Sequence, residues 1–143
     1  MQLIKFSLNL DKVQLEIENQ HVTIDQGLSL IELKSIKHPM LDALALKNMI
    51  ELIEEKPEHI KLDDKVQKVA HTSDPYFRQL STLLFNGETI INRVKLEHAL
   101  NEFIEHIEYY VEKAESDLKP FAYFIFLREM MHYLNVVEVR FGN

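Results

Sequence analysis

Apolar residues recur at every second position through the first twenty-five residues: Ile4, Phe6, Leu8 and Leu10, then Val13, Leu15 and Ile17, then Val22 and Ile24. A period of two sends alternate side chains to one face, so this stretch predicts three strands with a single buried side. Asp11-Lys12 and Asn19-Gln20 stand where two-residue turns would join them as a meander. After Gly27 the period lengthens. Pro39 suits the first turn of a helix running to about Glu55, because its missing N–H would have no partner there. Along that helix Leu41, Ala45, Leu46, Met49, Ile50, Leu52 and Ile53 share one side, opposite Lys47, Glu51, Glu54 and Glu55. Pro57 ends it, and residues 61–70 read as a weaker helix or a loop.

Ser73-Asp74-Pro75 is a helix start, with a capping side chain followed by proline at the first helical position, and Gly87 supplies a left-handed stop. A helix over 75–86 follows. Its competitor is a hairpin turning at Asn86-Gly87 between LSTLLF and ETIIN; the helix is favoured. Thr89 to Asp117 then reads as one helix of about 40 Å. Pro120 opens a last helix, PFAYFIFLREMMHYL, whose first half is apolar all round and therefore buried. VVEVRF alternates again and is expected to return to the sheet as a fourth strand. The fold class is α+β in one domain over 1–143. An antiparallel meander (1–26) packs with a mainly helical remainder (28–135), and a terminal strand (136–141) closes the chain.

Composition narrows the chemistry. The chain of 143 residues has 23 acidic and 16 basic residues, a net charge of −7, no cysteine and three glycines. Net acidity opposes attachment to nucleic acid or anionic membrane, which need excess Lys and Arg, and favours a basic protein partner. Without cysteine there are no disulfides, thiolate zinc sites or cysteine nucleophiles; a reducing cytoplasm is the expected setting. Three glycines cannot build a phosphate-cradling loop. The longest apolar run, Phe121 to Leu127, is too short to span a bilayer, and MQLIKFSLNLD is not a secretion signal.

The segment LEHALNEFIEHIEYYVEKAESD (96–117) concentrates two of the seven histidines and seven acidic residues. Carboxylates and histidines at helical spacing are the raw material of metal-binding bundles, where Glu-x-x-His pairs project inward. On a helical wheel, however, Leu96, Leu100, Phe103, Ile104, Ile107, Tyr110, Val111 and Ala114 claim the inner side. His98, Glu105, Tyr109, Glu112 and Ser116 fall opposite, and His106 lies at the border. Ligands of an interior metal must converge inward, so no metal or other cofactor is expected here. Elsewhere Glu129 and His132 form a Glu-x-x-His pair read as structural, and Glu18 with His21 forms another within a turn. Chance alone gives roughly 0.8 such matches in this composition, so neither pair argues for a metal. His98 and Glu102, four apart, remain neighbours suited to a labile surface cation.

Arg93-Val94-Lys95-Leu96-Glu97-His98 resembles the Arg-x4-6-His signature of HEPN ribonucleases. That resemblance, confined to six residues, implies that Arg93 and His98 act on an RNA phosphodiester. On one continuous helix, though, they stand about 140° apart. No Gly-x-Ser-x-Gly turn or other activated serine is present.

Two function classes therefore compete. The favoured one is a non-enzymatic protein-binding module (an inhibitor, immunity protein, assembly chaperone or adaptor) that docks an acidic helical face on a basic partner, a nucleic-acid-handling protein being one such partner. Glu105, Glu108 and Glu112 would form that face with Tyr109 as its aromatic anchor. The alternative is a small HEPN-like ribonuclease or metal-dependent hydrolase using Arg93 and His98, or His98 and Glu102. Homodimer formation is a further option, given the heptad-like spacing of Leu96, Leu100, Phe103, Ile107, Tyr110 and Ala114.

Overall fold

The alternation at the amino terminus becomes three antiparallel strands in the computed structural model, which describes residues 2–17, 20–25, 27–29 and 65–142. They are β1 (Gln2–Leu8), β2 (Val13–Ile17) and β3 (Gln20–Ile24). Ile4 pairs with Ile17, Phe6 with Leu15 and Leu8 with Val13, which puts the apolar set of both strands on one face. All six are buried. Leu10 leaves the alternation and is exposed, because the β1–β2 connection takes four residues, Asn9 to Lys12. Asn9 organises it: its side-chain oxygen accepts from the backbone N–H groups of Asp11 and Lys12, both at 2.9 Å. The chain returns onto this turn at Leu28 and Ser29, whose N–H groups bond Asn9 O and Leu10 O. Gly27 makes that approach possible, since a Cβ there would sit 2.4 Å from Asn9 O. The helix expected over Pro39–Glu55 lies outside the described residues.

Two further strands arise within the stretch that the periodicity assigned to helices. β4 (Lys68–Thr72) replaces the weak helix or loop expected at 61–70, and β5 (Ile90–Asn92) occupies the start of the expected long helix. β6 (Val136–Phe141) is the returning terminal strand, the sixth rather than the fourth. The sheet order is β3-β2-β1-β4-β6-β5, with β1, β4 and β6 parallel and β5 antiparallel to β6. Strands of two or three alternating residues per face carry little signal, which is why β4 and β5 were illegible; pairing with long neighbours holds them.

Helix α1 (Pro75–Leu84) starts as expected, with proline in its first turn, and stops at Asn86 and Gly87, both at positive φ. The N–H groups of Phe85 and Gly87 return to Ser81 O. The Asn86-Gly87 hairpin is thus excluded. The expected helix over 89–117 is broken in two. α2 (Arg93–Glu105) is capped by Asn92, whose side chain accepts from Lys95 N at 2.9 Å. It ends at His106, and α3 (Ile107–Lys113) begins at the next residue. Tyr110 of α3 sets its ring edge against Phe103 of α2. Glu115 and Ser116, both at positive φ, reverse the chain into α4 (Lys119–Tyr133).

Phe121 to Leu127 of α4 are buried on every side, as the unbroken apolar run requires. Phe121 stacks on Phe103 of α2 at 4.7 Å, Phe124 meets Phe85 edge-on, and Tyr123 stacks against Phe6 of the sheet. Phe77 of α1 lies flat on Phe141 of β6. One aromatic core therefore joins α1, α2 and α4 to the sheet's apolar face. Among the described residues no helix is long and apolar enough to cross a membrane.

Candidate functional site

The four residues read as a docking face straddle the helix break. Glu105 is the last residue of α2, and Glu108, Tyr109 and Glu112 belong to α3; all four are exposed. Tyr109 is 60% exposed, an unusual state for so large a ring, with its edge against Tyr110 and the Lys113 ammonium 5.9 Å from its centre. Ile104, placed on the inner side by a continuous wheel, is 49% exposed instead. The inward positions Leu96, Leu100, Phe103 and Tyr110 are buried as expected. Exposed apolar side chains, Tyr109 and Ile104, thus occur in the same stretch as the exposed carboxylates, a composition that interfaces favour.

The other sequence candidates separate. Arg93 spends its guanidinium on the α4–β6 junction, donating from Nε to Val136 O at 3.0 Å and from Nη2 to the Asn135 side chain at 2.6 Å. It holds the register of β6. His98 is exposed and lines a groove of about 460 Å³ with Val94, Lys95 and Glu102. Glu102, Glu105 and His106 bring one ligand atom each within 4.8 Å of one another, all exposed, with Glu102 paired to His106 at 3.8 Å. Glu129 is fully buried and accepts from Arg128 Nη1 at 2.7 Å, while Arg128 Nε also meets Glu97. His132 is exposed and rests on the Tyr133 ring. That pair does not converge on a ligand; Glu129 ties α4 to α2 through Arg128.

Asp74 was read from the sequence only as a helix cap. It stands at the N-cap of α1 but makes no side-chain cap bond. Its carboxylate turns inward instead, accepting from Ser7 Oγ at 3.0 Å, from Leu8 N at 3.0 Å and from Tyr123 Oη at 2.8 Å. One buried anion so links the ends of β1 and β4 to the middle of α4. Burial, and after it the charge of Asp74, holds the Tyr123 hydroxyl well above its usual range near 10. A buried tyrosine in an apolar helical run was the available signal, since its hydroxyl must find a partner.

No protein-family model matches the sequence, and no curated protein resembles it in sequence. Solved structures resemble it in fold. The PPX-GPPA enzyme of Aquifex aeolicus superposes with a TM-score of 0.73 at 10% identity, over 100% of this chain and 54% of that one. A structure described as the type II variant of the Aquifex aeolicus Ppx/GppA phosphatase gives 0.69 at 10% identity, over 99% and 53%. A third structure, of the same organism's Ppx/GppA family member, gives 0.70 at 10% identity, over 99% and 52%. The chain spans about half the length of these structures, and what it shares with them is the fold.

Proposed function

We propose that this chain is a protein-binding module, an inhibitor, chaperone or adaptor in mode of action, that presents Glu105, Glu108, Tyr109 and Glu112 to a basic partner. The observation that carries the reading is the exposure of Tyr109 together with that of Glu105, Glu108 and Glu112. Glu108 and Glu112 are four apart on one helix, a like-charge pair that costs roughly 0.2 to 0.5 kcal/mol and that a basic partner reverses. Complementary fields also accelerate encounter and reject wrong partners. The test uses the full chain as bait in native-cell lysate, beside a variant carrying Glu105→Lys, Glu108→Lys, Glu112→Lys and Tyr109→Ala. A basic protein held by the wild type, released by salt and absent from the variant is the expected result. Identical partners on both baits would refute it.

A second reading, a small hydrolase, is favoured by the fold likeness to phosphatases and by His98 and Glu102 sharing the wall of one groove. The HEPN-like version asks Arg93 to leave its bonds at Val136 and Asn135. Hydrolysis of RNA or of a phosphate monoester, with and without added divalent cations, discriminates the classes. Activity that disappears in His98→Ala while the circular dichroism spectrum is kept would establish an enzyme.

A further inference from the structure

The face of the sheet turned away from the aromatic core carries a row of charged side chains that the strand register alone brings together. Lys5 of β1 pairs with His71 of β4, and His71 pairs with Arg140 of β6. Neighbouring strands are about 4.8 Å apart, so the three positions span roughly 10 Å and point the same way. Lys5 and Arg140 are exposed and His71 is half-buried. Beside them opens a cleft of about 520 Å³, within the range of small-ligand sites, at the carboxyl ends of the parallel strands β4 and β6. Ser73 and Thr89 add hydroxyls, and among the described residues no carboxylate lines it.

That composition contrasts with the rest of the chain. Acidic residues outnumber basic ones by 23 to 16, yet among the described residues the fully charged side chains on this cleft are the cations Lys5 and Arg140. Lys5 and Arg140 stand two strands apart with His71 between them, so an anion above that row meets donors from three strands. Two carboxylates stand nearby. Glu138, two residues before Arg140 on β6, accepts from its Nε at 2.6 Å, and Glu16 pairs with Lys5 from the β2 side. The Glu138 bond fixes the guanidinium plane through one N–H of five, and its remaining donors suit a planar or tetrahedral oxyanion.

We propose that this cleft binds a small phosphate monoester, with Arg140 as the fork on the phosphate, Lys5 and His71 as the flanking donors, and Ser73 and Thr89 as neutral ones. The site lies on different elements from the acidic face of α2 and α3, and the inference does not depend on that face.

Inorganic phosphate and phenyl phosphate are the probes, titrated into the full-length protein while backbone amide resonances are followed. Saturable shifts are expected, concentrated at residues 71–73, 89–90 and 140–142, with phenyl phosphate the tighter ligand. Arg140→Gln and Lys5→Gln should each weaken binding at least tenfold with unchanged circular dichroism. Arg140→Lys should restore only part of it, because an ammonium lacks the fork. Charge reversal at Glu105, Glu108 and Glu112 should leave it unchanged. The proposal is overturned if phosphate gives no saturable shifts, if chloride at equal ionic strength reproduces them, or if binding survives Arg140→Gln and Lys5→Gln.

Discussion

Replacing Asp74 by alanine tests how much of the fold hangs on one buried anion. The substitution removes the acceptor of three donors: Ser7 Oγ, Leu8 N and Tyr123 Oη. The serine is half-buried and can rotate toward water, but the bonds from Leu8 N and Tyr123 Oη are buried. Leu8 N loses its acceptor and Tyr123 Oη keeps only Thr72; at about 1 to 3 kcal/mol for each buried bond lost, the loss is roughly 4 kcal/mol. At about 4 °C per kcal/mol for a chain this long, the midpoint of thermal unfolding should fall by roughly 15 °C. Urea unfolding followed by circular dichroism measures the loss directly, with an unchanged slope showing that the unfolded state is not the cause. A double-mutant cycle with Tyr123→Phe sharpens the test. In the wild type Tyr123→Phe leaves Asp74 two donors and should cost about 1 kcal/mol. In the Asp74→Ala background it removes a hydroxyl left with Thr72 alone and should cost less than in the wild type. If Asp74→Ala lies within 1 kcal/mol of wild type, or if Tyr123→Phe costs the same in both backgrounds, the carboxylate does not hold β1 and β4 to α4 as argued.

Three other outcomes follow from single contacts. Gly27→Ala pushes a methyl group to 2.4 Å from Asn9 O and 2.6 Å from Asp11 N, both rigid backbone, and should destabilise by about 2 to 3 kcal/mol in a chemical unfolding curve. Asn92→Ala removes the one side-chain cap seen on a described helix and should cost about 1 kcal/mol; Asn92→Asp should keep most of it. Because the fold raises the Tyr123 pKa above its unfolded value near 10, the native state keeps a proton that the unfolded chain loses above that pH. Stability should therefore fall as pH rises above about 10, by up to about 1.4 kcal/mol per pH unit from this group, and this component should be missing from Tyr123→Phe.

The parts of the fold legible in sequence are those where one local rule decides. Period-two alternation in Ile4 to Ile24 yields the meander, because a half-buried strand has no other way to place its apolar residues. Pro75 and Gly87 bracket α1 through backbone dihedrals that neighbours rarely override. The orientation of α2, with His98 outward and Leu96, Leu100 and Phe103 inward, likewise follows from a 3.6-residue repeat. The break at His106 escaped, since nothing in a histidine stops a helix. β4 escaped for a related reason: its pattern is short, and it is a strand because β1 and β6 lie on either side of it.

The sites divide in the same way. Glu105, Glu108, Tyr109 and Glu112 could be named from sequence because they lie within eight residues of one another and an apolar stripe shows which way they face. Lys5, His71 and Arg140 could not, being separated by 66 and 69 residues and joined only by strand register. Asp74 sits between these cases: its place at a helix start is written locally, while its partners on β1 and α4 are brought to it only by the closed core. Local chemistry thus determined the meander, α1 and the inward side of α2. Tertiary structure decided which distant charges meet, because pairing across a sheet depends on strand order and register, and no single segment encodes either.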